Sequence, residues 1–328
     1  MGGPDSDVAL GPANPPSPRP PPAIGRGAVG GLPSEAIYLP FETGPYRMAM
    51  GLTTVSDNAW FEIDECYVDE MEQRRRLLAE RHKDVFGSLE ASDAARAETL
   101  REVAANLTRH ASQWFARDGV LLRNALTGET WNIAAPPCDP LELAGRLVQE
   151  DLCVIQQSDQ GPIFTAALLC FPSRWRLHEK LGNPLVAVHG PVPFYAERLA
   201  TPVDRFMAKV RSGHIASRLN WSVLDDPAMF QPAGRWREQQ NTAVTPDNAG
   251  ERLYLRVERQ TLRRLPQSGA ILFGIRVHCY ALERAIVSPA AALRLAEAVR
   301  GLPEATMHYK SLNAYGPALL AWLDARSR

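Results

Sequence analysis

Two stretches in the last third of the chain alternate with a period of two, and that pattern limits the fold more than any other feature. In residues 253–260, Leu253, Leu255 and Val257 share one side, with Tyr254, Arg256 and Glu258 on the other. In residues 270–280, Ile271, Phe273, Ile275 and Val277 share a face, opposite Leu272, Gly274, Arg276 and His278. Such runs are strands. Residues 152–157 and 163–171 add two short apolar strands joined across Ser158-Asp159-Gln160-Gly161, and residues 119–133 read as a hairpin turning at Thr127-Gly128. Helical patterns lie between them. Residues 64–82 are dense in Glu and Arg, with Tyr67, Met71 and Leu78 on one side; residues 92–114 place Leu100, Val103, Leu107 and Ala111 at helical spacing. Asp139-Pro140-Leu141-Glu142 joins a capping Asp to a first-turn proline, and Thr201-Pro202 and Ser288-Pro289 repeat the device. Hairpin-linked strands interrupted by helices predict an α+β domain on an antiparallel sheet, not a doubly wound parallel one.

The N-terminus is of another kind. Residues 1–35 hold nine of the 27 prolines and seven of the 23 glycines, too little apolar surface for a core, and are expected to form a disordered tail before a single domain over 36–328. Gly25-Arg26-Gly27-Ala28-Val29-Gly30 matches the dinucleotide fingerprint by spelling alone. A proline run precedes it and Gly31-Leu32-Pro33 follows, where the fingerprint needs a strand and a helix. A net charge of −1 favours neither nucleic acid nor an anionic membrane, and no apolar run approaches the ~18 residues of a span. The five cysteines form no C-x-x-C pair, and no signal peptide is evident, so reduced thiols in a cytoplasmic protein are the expectation.

Candidate chemistry rests on few residues. No H-E-x-x-H, G-x-S-x-G, S-x-x-K or P-loop occurs. His189 ends the strand-like run Leu185-Val186-Ala187-Val188 and opens Gly190-Pro191-Val192-Pro193, whose prolines stiffen the backbone. An imidazole held there is placed to ligate a metal or a haem iron, although the commoner role is a hydrogen bond to a backbone carbonyl. Only four of the 36 basic residues are lysines, and arginine suits carboxylate pairs such as haem propionates. Glu258 shares a strand face with Arg256. It is either half of a surface pair or, lining a cavity, a receptor for a small cation, with an attraction of about 4 kcal/mol at ~4 Å before desolvation.

Several longer blocks resemble a known family. Phe171-Pro-Ser-Arg-Trp-Arg-Leu, Glu179-Lys-Leu-Gly-Asn-Pro-Leu and His189-Gly-Pro-Val-Pro are similar to blocks of the haem-dependent oxidative N-demethylases. So are Arg218-Leu-Asn-Trp, Arg256-Val-Glu-Arg-Gln-Thr-Leu-Arg-Arg-Leu-Pro, Tyr38-Leu-Pro-Phe and Met50-Gly-Leu, together spanning almost everything beyond the tail. The resemblance implies a PAS-like fold holding haem b and the O2-dependent demethylation of a small, dimethylamine-like amine, with release of formaldehyde. It implies electrons from NADPH through flavin and iron–sulfur subunits of reductase or ferredoxin type, and tetrahydrofolate to handle the formaldehyde. His189 becomes the expected axial ligand, with His214 and His278 next in line. Glu258 is expected to hold the ammonium, Arg218 or Arg256 to anchor a propionate or polarise oxygen, and Arg259 to join Arg256 at the cofactor. The alternative is a haem-based gas or redox sensor, or a haem-binding module without catalysis, since fold does not fix function.

Overall fold

The computed structural model describes residues 31–159 and 161–328. Its strands are β1 Thr53–Val55, β2 Phe86–Ser88, β3 Phe115–Asp118, β4 Leu121–Asn124, β5 Glu129–Asn132, β6 Asp151–Ser158, β7 Gly161–Leu168, β8 Ile215–Leu224, β9 Tyr254–Arg264 and β10 Ile271–Ala281. Seven of them form one sheet in the order β1-β8-β9-β10-β6-β7-β2, and β3-β4-β5 form a small second sheet. Every strand pair is antiparallel. The fold is therefore α+β with a large antiparallel sheet, as the alternation implies.

Both faces of that sheet are covered. Leu255 and Val257 of β9 pack with Tyr280 against Leu295, Leu319 and Trp322 of the C-terminal helices Pro289–Arg300 and Gly316–Arg326. On the same side, Leu152, Val154 and Leu272 pack with Met71, Leu100, Val103 and Leu107, carried by the helices Tyr67–Glu80 and Asp93–His110. The opposite face presents Leu262, Ile271, Ile275 and Val277 to Phe171, Leu185, Val188 and Met207. Burial on both sides explains why Arg256, Glu258 and Arg259, consecutive or alternate on β9, are all nearly inaccessible.

The cap-and-proline signals hold at two of three sites. Asp139 accepts from Leu141 N at 2.8 Å and Ser288 from Ala291 N at 3.2 Å, each beginning a helix at the following proline. At Thr201-Pro202 the helix starts earlier, at Ala200, with Leu199 as an uncapped flank; Pro202 sits in the first turn, where its missing N–H costs nothing. The expectation for Leu185-Val186-Ala187-Val188 is corrected: Leu185–Val188 is a single helical turn, not a strand. Leu185 and Val188, three apart, face the core while Val186 and Ala187 are exposed, and four apolar residues are too few to separate the two periods.

The predicted coil over residues 1–30, with its glycine motif, lies outside the described residues. Leu32 and Glu35, which composition put with the tail, are packed, while Pro33 and Ser34 between them are exposed. Leu32 lies against the cluster of Met71, Leu100 and Leu107, Pro33 O accepts Glu65 N at 2.9 Å, and Glu35 is buried.

Candidate functional site

The face of the sheet opposite the long helices carries an unusual polar row. Register pairs Asn220 of β8 with Glu258 of β9, and Arg218 with Gln260, so all four side chains share a side. Val277 of β10, opposite Glu258, packs in the same apolar cluster as Val188. The turn that ends in His189 therefore lies over this row.

Glu258 accepts from Asn220 Nδ2 at 3.2 Å and from Gln260 Nε2 at 2.8 Å, with no salt-bridge partner among the described residues. Arg218 makes no hydrogen bond within the described chain, and its Nε is buried without a partner. Burial lowers its pKa, and Glu258, Tyr195 and Tyr46 are the groups whose charge reaches it. Arg218 as a whole is half-buried, but a buried N–H without an acceptor is costly, and this one leaves room for an acceptor that the described residues do not supply.

His189 follows the helical turn at φ −97°, ψ 5°. Its Nδ1 lies 2.8 Å from Leu185 O, so Nδ1 carries the proton and donates, and Nε2 keeps a lone pair that no protein group takes. Burial pulls its pKa down to about 4, against the raising effect of the carbonyl and together with the charges of Lys180, Arg218 and Arg235. The ring is neutral at pH 7. Gly190-Pro191-Val192-Pro193 leads into Phe194 at φ 63°, a left-handed turn that brings Tyr195 back over His189, ring centroids 4.3 Å apart and 9° from parallel. The Tyr195 hydroxyl is buried with no partner, and burial raises its pKa to about 12. Tyr195 was not legible as a site residue; the only signal is its place just past the double-proline turn.

Two amines complete the site. Lys180 Nζ donates to Val188 O at 2.5 Å and Lys310 Nζ to Trp221 O at 2.6 Å, and burial lowers both to a pKa of about 8. Lys180, Arg218 and Lys310 all feel the charge of one carboxylate, Glu258, with Arg235 adding its charge beside Lys180, and this surplus of cations calls for anions.

The other expected residues lie elsewhere. Arg256 shares the face of Glu258 but its donors are spent: Nε to Ser173 Oγ at 2.9 Å, and the terminal nitrogens to Phe171 O, Ala228 O and Met229 O at 2.8–3.1 Å. It ties two loops to the sheet and has nothing left for a propionate. Arg259 points through the opposite face, where it pairs with Glu62 at 3.3 Å and donates to Ala59 O and Trp60 O. An odd offset from Glu258 in a strand requires that separation. His278 is on that far face too, each ring nitrogen against a carboxylate: Glu35 at 3.2 Å and Glu62 at 3.0 Å. It offers no open position for a metal. His214 is exposed on the turn before β8.

Two clefts, of about 230 and 300 Å³, open away from His189, one between Arg81, Trp175 and Phe230 and one beside Asn241, Tyr315 and Pro317. His189 lines neither of them, and its region is distinguished by unmet polar groups. Among the described residues, a neutral imidazole with a free Nε2, a half-buried guanidinium whose Nε is unpaired, a tyrosine hydroxyl without a partner and surplus positive charge fit an iron porphyrin with two carboxylates. The family model for the haem-dependent oxidative N-demethylase, alpha subunit-like proteins matches residues 51–320, which include every one of these groups, and the chain belongs to that family.

Proposed function

We propose that this protein is the haem-holding subunit of an oxidoreductase that removes an N-methyl group from a small amine of the dimethylamine class. The observation that carries the reading is one sheet face on which an imidazole with an uncommitted Nε2 meets an unpaired guanidinium and a buried carboxylate. In this reading His189 Nε2 would hold the haem iron, with its tautomer fixed by Leu185 O. Haem supplies the oxygen-activating redox chemistry. Arg218 receives a propionate or polarises oxygen. A secondary amine, like a lysine, has a pKa near ~10.4 and arrives as an ammonium that a dry pocket rejects without a counter-charge. Glu258 supplies that charge.

One O2, two electrons and two protons convert the N–CH3 group to N–CH2OH and water; the carbinolamine then breaks its C–N bond to release formaldehyde and the shortened amine. The alpha subunit-like family supports an assembly of several subunits. NADPH, flavin and iron–sulfur donors, tetrahydrofolate as formaldehyde acceptor, and a PAS-like haem cradle formed by the large sheet belong to the same proposal. Five unpaired cysteines suit the reducing, cytoplasmic setting proposed for it.

The test is an absorption spectrum of purified, haem-reconstituted protein, followed by dimethylamine titration and formaldehyde assay with a chemical reductant and O2. A Soret band in wild type that is lost or shifted in His189→Ala is expected, with an amine-dependent shift and formaldehyde release. Wild-type protein that takes up no haem overturns the reading. Haem uptake without any amine response turns it to the sensor.

A further inference from the structure

The helical turn before His189 has an end that the backbone does not close. Leu185 O receives His189 N at 3.0 Å and His189 Nδ1 at 2.8 Å, and Ala187 O receives Gly190 N at 3.1 Å. Val188 O has no backbone donor among the described residues. Its donor is Lys180 Nζ, 2.5 Å away. Lys180 reaches it from the single turn Leu177–Glu179, closed by Lys180 N on Leu177 O at 2.9 Å, with the ammonium 5.0 Å from the centre of the Trp175 ring. A cation that binds the last carbonyl of a helical turn completes its C-terminal end.

We infer that Lys180 is a positioning residue for the iron ligand: its ammonium on Val188 O seats the His189 turn and sets the positive field in which the ligated iron sits. The inference rests on the function proposed above. No carboxylate forms a salt bridge with Lys180 among the described residues, and the charged groups that reach it are Arg235, Glu179 and Glu258. Its charge is therefore not cancelled on the spot. Its field, acting across a low-dielectric interior, favours the ferrous over the ferric state of an iron bound there and raises its reduction potential. Arginine at 180 keeps charge and donor; methionine keeps the stem and removes both; glutamine keeps a donor and removes the charge.

Two measurements separate these effects. In haem-free protein, hydrogen–deuterium exchange over residues 185–192 is expected to run about tenfold faster in Lys180→Met, the factor equivalent to ~1.4 kcal/mol of local opening. In haem-loaded protein, spectroelectrochemistry is expected to give a lower midpoint potential for Lys180→Met and Lys180→Gln and recovery in Lys180→Arg. Unchanged exchange in the Met variant, or an unchanged potential with haem bound through His189, overturns the inference. Wild-type protein that binds no haem overturns the proposed function instead, and the exchange measurement still decides whether Lys180 seats the turn.

Discussion

Glu258 and Arg256 are two residues apart on one strand face and have opposite fates. Glu258 is bonded by neutral amides and forms no salt bridge among the described residues, although the charges of Arg218, Lys180 and Lys310 reach it. Glu258→Gln is expected to retain haem and to lose roughly 2–4 kcal/mol of amine binding, the range for breaking half of a desolvated charge pair. A haem-band titration with dimethylamine, set against a neutral molecule of the same size, measures it; a Gln variant that titrates like wild type shows that Glu258 is not the receptor. Arg256 holds three carbonyls and a hydroxyl while almost wholly buried. Arg256→Met leaves those oxygens unsatisfied and is expected to cost about 3–5 kcal/mol in a denaturant titration, with loosened loops at 171–173 and 228–229. A loss of haem affinity without that destabilisation contradicts the structural role.

Among the elements, the N-terminal segment and the C-terminal helix are held by opposite kinds of force. The segment is locked by charge. Glu35 bonds His278 and Arg284, the Tyr38 hydroxyl donates to Glu62, and the Tyr280 hydroxyl donates to Ala36 O. Burial alone would depress the His278 pKa, but the Glu35 and Glu62 carboxylates outweigh it and hold the pKa above its ordinary value. Deletion of residues 1–30 is expected to leave the melting temperature in place. Deletion through Tyr38 is expected to lower it by several degrees, as His278 loses Glu35 and Glu62 loses the Tyr38 hydroxyl, together about 1–3 kcal/mol. Equal melting temperatures for the two truncations count against the clasp. The C-terminal helix is held by shape. A Cβ on Gly250 meets the Trp322 ring at 2.7–2.8 Å, and Trp322 is 1 % exposed. Gly250→Ala is expected to destabilise by about 1–3 kcal/mol, read by chemical denaturation, and a neutral effect indicates that the helix shifts freely.

At the scale of the molecule, groups on the two faces of the sheet pull stability in opposite directions with pH. His278, raised when folded, contributes stability in full below its unfolded value near ~6.5 and loses it as pH rises through the folded value. Lys180 and Lys310, lowered to about 8, act the other way. Between pH 8 and ~10.4 the unfolded chain binds more protons at these amines, so folding gains as pH rises. The lysine and imidazole contributions overlap in the total profile, so that of His278 is read as a difference. Wild type minus His278→Leu is expected to be largest at pH 6 and to shrink on the alkaline side, by calorimetry at several pH values. A difference that grows with pH contradicts the imidazolium clasp.

Local signals in the chain determined the strands of the central hairpin, the two long helices, the Asp139 and Ser288 caps and the antiparallel α+β class, because periodicity and capping chemistry act over a few neighbouring residues. The blocks around His189, Arg218 and Glu258 determined the family as well. Tertiary structure decided what those residues do. Arg256 and Glu258 look equivalent by alternation, yet distant loops supply carbonyls to one, while the other is bonded only by amides of its own sheet. Arg259 and His278 fall on the far face, against Glu62 and Glu35 brought from the N-terminal segment. Tyr195 stacks on His189 only because Phe194 turns left-handed. A β-strand exposes two faces with identical local chemistry, and which face meets a counter-charge depends on partners scores of residues away in sequence. Long-range electrostatics and packing select between them, and no local pattern encodes that choice.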